Sequence, residues 1–191
     1  MKYLYLLFCL FILSCGHPKR HYTLSELRHR RDWIEEYSLK HKNAMVVFAK
    51  VPGKTQLIKV VNDKWPDETE YAYNVLKDSS NNVILIYSSP VSESGDWNVE
   101  HNHYFDPEGN TFLFERHASA FNDCLANDEV AYETVKKYFD SDFNLLEKTD
   151  NLVDKKGKHL NKSECSIDFA IQDATIYPNA ESCMRAHNII F

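Results

Sequence analysis

One seven-residue pattern constrains this chain more than any other. Tyr104-Phe105-Asp106-Pro107-Glu108-Gly109-Asn110 returns as Tyr138-Phe139-Asp140-Ser141-Asp142-Phe143-Asn144, and Val153 to Lys158 carries a third copy of the turn. Proline presets the first turn residue and glycine supplies the left-handed position of a type I turn with a bulge, so each copy predicts a tight reversal between two strands. Phe143 stands where glycine is expected. Reversals repeated at this spacing predict an antiparallel meander of similar hairpins.

The flanking segments fit. Met45 to Val51 and Gln56 to Asn62 predict a hairpin through Pro52-Gly53, and Glu70 to Leu76 pairs with Val83 to Tyr87 across a run of turn-forming residues. Val99 to Phe105 and Thr111 to Phe121 form the clearest hairpin. For Glu129 to Phe139, Ala131, Val135 and Phe139 suit one helical face, while the turn copy behind them favours a strand. Thr23-Leu24-Ser25-Glu26 has the form of a capping box and predicts a helix from Leu24 to Lys40; a short helix is expected from Ala180 to His187. The fold class is mostly β (α+β): an antiparallel β-meander with an N-terminal and a short C-terminal helix, in one domain over 24–191.

Ahead of that domain, Met1-Lys2 precedes an apolar run from Tyr3 to Leu13. Eleven helical residues span about 16 Å against the ~30 Å of a bilayer core, which fits a signal peptide over 1–14 and not a spanning helix. The run closes with Ile12-Leu13-Ser14-Cys15, which resembles the lipobox of bacterial lipoproteins. The resemblance implies that Cys15 receives a diacylglyceryl group, becomes the first residue after cleavage and anchors the chain to a lipid membrane through a tether over 15–23. No aspartate follows Cys15, which in that family implies passage to the outer membrane, facing the periplasm. Glu93 to Trp97, His103 to Gly109 and Phe114-Glu115-Arg116 further resemble a group of uncharacterised envelope lipoproteins with aromatic-Asp-x-x-Gly hairpins; that likeness implies the meander and no activity.

From His17 to Arg31 five basic residues and three histidines are opposed by Glu26. This stretch reads as a solvated linker and helix face, or as a contact for anionic head groups. A net charge of −6 argues against nucleic acid as a partner. With Cys9 in the leader and Cys15 acylated, Cys124, Cys165 and Cys183 remain in an oxidising compartment. One disulfide and one thiol are expected. Cys165 with Cys183 is the first choice because both lie in the C-terminal segment, although spacing leaves the pairing open.

Chemistry-bearing motifs are few. Phe48 to Thr55 ends like a phosphate-binding loop but lacks its leading glycine and any following helix pattern. No Gly-x-Ser-x-Gly or Ser-x-x-Lys occurs. One constellation remains. With Asp106 paired to Asn110, the register sets Val99 opposite His117, His101 opposite Glu115 and His103 opposite Leu113, so His101, His103, Glu115 and His117 converge as candidate ligands for zinc. The rival reading makes them the polar, exposed side of a sheet. The expected function is that of an envelope-bound binding or structural module of unknown biochemical role, with an enzyme the less favoured reading. The alternatives are a metal-binding protein or metal-dependent enzyme using that quartet, and an inhibitor or capping module for an envelope protein partner.

Overall fold

The computed structural model describes residues 20–121, 124–125, 129–165 and 174–191. Helix α1 (Leu24–Lys40) opens on the predicted capping box: the Glu26 N–H donates to Thr23 Oγ1 at 3.3 Å and the Thr23 N–H donates to Glu26 Oε2 at 2.8 Å. These two bonds satisfy donors that a helix start leaves unpaired. The helix buries only Leu27 and Ile34 fully. Its basic residues complete the docking, with Arg28 on Glu147 at 2.7 Å, Arg30 Nε donating to the Phe105 carbonyl at 3.1 Å, and Arg31 3.4 Å from Glu115. The cationic run is therefore turned toward the sheet over this stretch.

Strands β1 (Met45–Lys50), β2 (Ile58–Val60), β3 (Tyr71–Lys77), β4 (Val83–Pro90), β5 (Trp97–Phe105), β6 (Thr111–Phe121), β7 (Val130–Phe139) and β8 (Leu145–Val153) form one antiparallel sheet in the order β2-β1-β3-β4-β5-β6-β7-β8. From β3 onward each strand pairs with the next. The ambiguous segment before Phe139 is a strand, as the turn copy required. The final helix, α2 (Ala180–Ala186), starts on a second capping box between Asn179 and Ser182.

The two faces are covered differently. α1 lies on Leu76, Leu85, Tyr104, Leu113 and Tyr138. On the opposite face α2 and the tail pack Ala180, Cys183 and Ile189 against Val75, Ile86 and Phe105. A third cluster joins Val99, Ala118, Ala120, Ala131, Leu152 and Cys165. No helix among the described residues is long and apolar enough to cross a membrane.

The turns follow one design, and it extends to a fourth place. An aspartate Oδ1 accepts the backbone N–H groups two and four residues on, at 2.9 and 2.9 Å for Asp78, 3.0 and 2.8 Å for Asp106, 2.9 and 2.8 Å for Asp140, and 2.8 and 2.9 Å for Asp154. The residue three after each aspartate is left-handed: Asn81 at φ 69°, Gly109 at 84°, Phe143 at 64° and Gly157 at 78°. Phe143 accepts this conformation while its ring stacks on Phe139 at 4.5 Å. A Cβ at Gly109 would meet nothing within 4 Å, so the Gly109→Ala cost is that of the backbone alone. The expected loss is about 1–2 kcal/mol, read as a lowered urea midpoint with unchanged slope.

The disulfide differs from the first sequence choice. Cys124 and Cys165 are joined, with Cα atoms 5.4 Å apart and a sequence separation of 41, and Cys183 is a free, buried thiol. Cys183 belongs to the cluster under α2 and Cys165 to the cluster over Val99, so nearness in sequence did not become nearness in space. Burial pushes the Cys183 thiol up to about 12, which leaves it unreactive. Reduction is expected to cost about 2–4 kcal/mol through the longer free loop of the unfolded chain. Paired denaturation curves with and without reductant measure it. The leader, Cys9 and Cys15 lie outside the described residues.

Candidate functional site

One extra residue decides which side chains meet. At the central turn the Asp106 N–H donates to the Asn110 carbonyl at 2.9 Å, as the sequence predicted. Just beyond, the pairing runs Phe105 with Thr111 and then Tyr104 with Leu113, so Phe112 is a bulge. The same slip occurs beside the turns at Leu76/Lys77 and Tyr138/Phe139. A shift of one residue reverses the facing of every side chain beyond it. His103 thus stands opposite Phe114, His101 opposite Arg116 and Glu100 opposite His117.

The predicted zinc quartet is thereby divided. His101 and His103 lie on the α2 face, whereas Glu115 and His117 lie on the α1 face. Among the described residues no group of three or more His, Cys, Asp or Glu side chains is placed to hold a metal ion.

On the α2 face, His101 and His103 line a cleft of about 270 Å³ with Tyr71, Tyr73, Tyr177 and His187. Strands β3 and β5 supply the walls, and the tail returns across the sheet to close it. His103 is 3% exposed and its Nε2 accepts the Tyr177 N–H at 3.3 Å, which fixes a neutral ring. His101 is 5% exposed, and its Nε2 is buried without a hydrogen-bond partner among the described residues. Burial, with Arg116 and His187 nearby, lowers the His101 pKa to about 4. Burial, then His187 and His101, lowers that of His103 to about 3, against a hydrogen bond at the Thr175 backbone. His187 is lowered too, by burial and Lys50, and sits 4.9 Å from the Tyr73 ring and 5.3 Å from that of Tyr177. Lys50, at the rim, lies 3.2 Å from Glu70. The cleft is aromatic and rich in hydrogen-bonding groups, and its charged lining residue, Lys50, is paired with Glu70.

No family model, curated protein or solved structure matches this chain. The side chains themselves carry the functional reading.

The α1 face holds a different centre. Glu115 is fully buried and is contacted by Lys136 Nζ at 2.8 Å, His117 Nε2 at 3.0 Å and Arg31 Nε at 3.4 Å. Burial would raise its pKa, but the hydrogen bonds from His117 and Lys136 and the charges of Lys136 and Arg31 outweigh it, holding the carboxyl at about 2. The Tyr104 hydroxyl donates to Glu35 at 2.6 Å, linking β5 to α1. This arrangement ties helix to sheet through charge, where the helix offers few apolar side chains.

Sequence reasoning found His101 and His103 by their alternate spacing on one strand. It missed His187, Tyr71, Tyr73 and Tyr177, which arrive from β3 and the tail. It also missed Arg31 and Lys136 as partners of Glu115.

Proposed function

We propose that this protein is a lipid-anchored envelope lipoprotein that binds a small, uncharged, hydroxyl-bearing ligand, such as a sugar unit, in the histidine–tyrosine cleft. The observation that carries the reading is the His101 Nε2, buried and without a partner among the described residues, in a side chain that lines that cleft. A buried polar atom without a partner costs about 1–3 kcal/mol, and a ligand hydroxyl would recover it. The volume of about 270 Å³ lies near the small end of ligand clefts. Its imidazoles are neutral, and its rim lysine is engaged by Glu70, so an uncharged ligand loses least on entry. Imidazoles with pKa values of about 4 and about 3 are weak bases at neutral pH, which favours binding over proton transfer.

The anchor rests on Ile12-Leu13-Ser14-Cys15, placed nine residues before α1 begins. Several acyl chains at Cys15 would hold the domain firmly, since each buried methylene contributes about 0.8 kcal/mol. Its address is the periplasmic side of the outer membrane. Labelled palmitate is expected to enter the native chain and not Cys15→Ser, and label in both would end the anchor reading. For the cleft, a panel of neutral mono- and disaccharides is titrated against the protein while the imidazole resonances of His101 and His103 are followed. A saturable shift of His101 and His103 is expected, and in His101→Phe the remaining His103 shift should saturate only at higher ligand concentration. Imidazoles unmoved by the whole panel would refute the cleft reading.

A further inference from the structure

On the opposite face, beyond the edge of α1, a second cleft of about 410 Å³ opens over the middle of the sheet. Asn102, which lines it, is 8% exposed, and its Oδ1 is buried with no hydrogen-bond partner among the described residues. Asn102 pairs in register with Tyr87 on β4 and Glu115 on β6. Glu100, two residues earlier on β5, faces the same way, and Glu35 of α1 forms part of the far wall. The three carboxylates around this cleft are not equally compensated. Among the described residues, only Glu115 has a cation within ion-pair distance, and it draws Arg31, which also lines the cleft and feels the charge of Glu35. Glu35 receives the Tyr104 hydroxyl and Glu100 receives the Asn98 amide at 2.9 Å, both neutral donors.

We propose that this cleft binds the ammonium group of a primary amine, held by the Asn102 carbonyl and the Glu100 and Glu35 carboxylates, with its carbon chain against the Tyr87 and Tyr104 rings. An ammonium brings three donors and no acceptor, which suits an unpartnered amide oxygen between two carboxylates. Aromatic walls add attraction for a cation, of order 0.5–2 kcal/mol once water is displaced. A divalent metal is disfavoured, because no group of three or more ligating side chains is suitably placed among the described residues. The Tyr87 phenol is pushed up by burial and then by the neighbouring Glu100, so its hydroxyl stays a donor and its ring stays neutral at neutral pH. This site is independent of the histidine cleft, from which the sheet separates it.

The test titrates n-butylamine, 1,4-diaminobutane, n-butanol and Ca²⁺ separately into the full chain, with readout by calorimetry and by the side-chain amide resonances of Asn102. The expected result is saturable binding of both amines that shifts Asn102 and leaves the His101 and His103 imidazoles unmoved. Affinity should fall at least about tenfold in Glu100→Gln and weaken with added salt. Glu100 is half-buried and makes no ion pair among the described residues, so Glu100→Gln should fold; an unchanged melting temperature checks it. The proposal is overturned if butanol binds as tightly as butylamine, if Ca²⁺ binds in preference to the amines, if Glu100→Gln binds them unchanged, or if no amine binds at millimolar concentration.

Discussion

Glu115→Ala is expected to destabilise the protein by about 3–5 kcal/mol, the range found when one partner of a buried charge group is removed. The carboxylate is fully buried, and its loss would leave Lys136 and Arg31 facing each other across a cavity, with side chains only 30% and 28% exposed. Neither cation can rehydrate fully without moving α1 from the sheet. Glu115→Gln should cost less, since an amide oxygen still accepts from Lys136. Replacing Glu115 and Lys136 together by methionine should recover part of the alanine loss, because an apolar pair of similar volume needs no compensating charge. Urea denaturation of the four proteins measures this. A loss below about 1 kcal/mol for Glu115→Ala would show that α1 is held by packing and not by the charge centre.

Acid should unfold the protein in a window set first by histidine. Above pH 6.5 His101 and His103 are neutral in both folded and unfolded chains, so they contribute nothing to the pH dependence. Between 6.5 and the folded values of about 4 and about 3, the unfolded imidazoles take up protons that the folded ones refuse. The unfolded state then binds more protons, and stability falls as pH falls. The full windows correspond to roughly 3 kcal/mol for His101 and roughly 5 kcal/mol for His103, at about 1.4 kcal/mol per pH unit. His187, also lowered, acts in the same direction. Glu115 adds a later loss: its stabilisation is present above 4.5 and disappears as pH falls through about 2. The stability slope between pH 6.5 and 4.5 therefore belongs to the imidazoles, and His101→Phe should flatten it. An NMR titration in which His101 and His103 protonate near 6.5 would refute this account. Because the same rings line the proposed sugar cleft and stay neutral in the folded chain, the folded protein should keep its ligand through this window and release it only as pH falls through about 4, where His101 protonates.

The legibility of the fold was uneven for physical reasons. Helix α1 was readable to its bounds, since the Thr23/Glu26 capping box and the spacing of Leu27 and Ile34 are local. The hairpins were readable because an aspartate that clamps two backbone N–H groups, followed by a left-handed residue, imposes reversal within five residues. Phe143 shows the strength of that clamp, holding φ at 64° in a bulky residue. Register was not readable, since a bulge at Phe112 leaves the turn unchanged and alters only what lies beyond it. The disulfide was missed in the same way: Cys124 and Cys165 meet through loops whose course no local pattern specifies.

Taken alone, the sequence determined the meander, both helices and the order of the strands along the chain from β3 on, because turns, caps and alternation act over a few residues. The tertiary structure alone decided which face each histidine joined, that Glu115 meets Arg31 and Lys136, and that the tail carries His187 and Tyr177 across the sheet. A one-residue slip costs little locally, while its sign is set by packing two helices on opposite faces at once. That balance is a property of the whole molecule, so the chemistry of both clefts appears only when the strands are assembled.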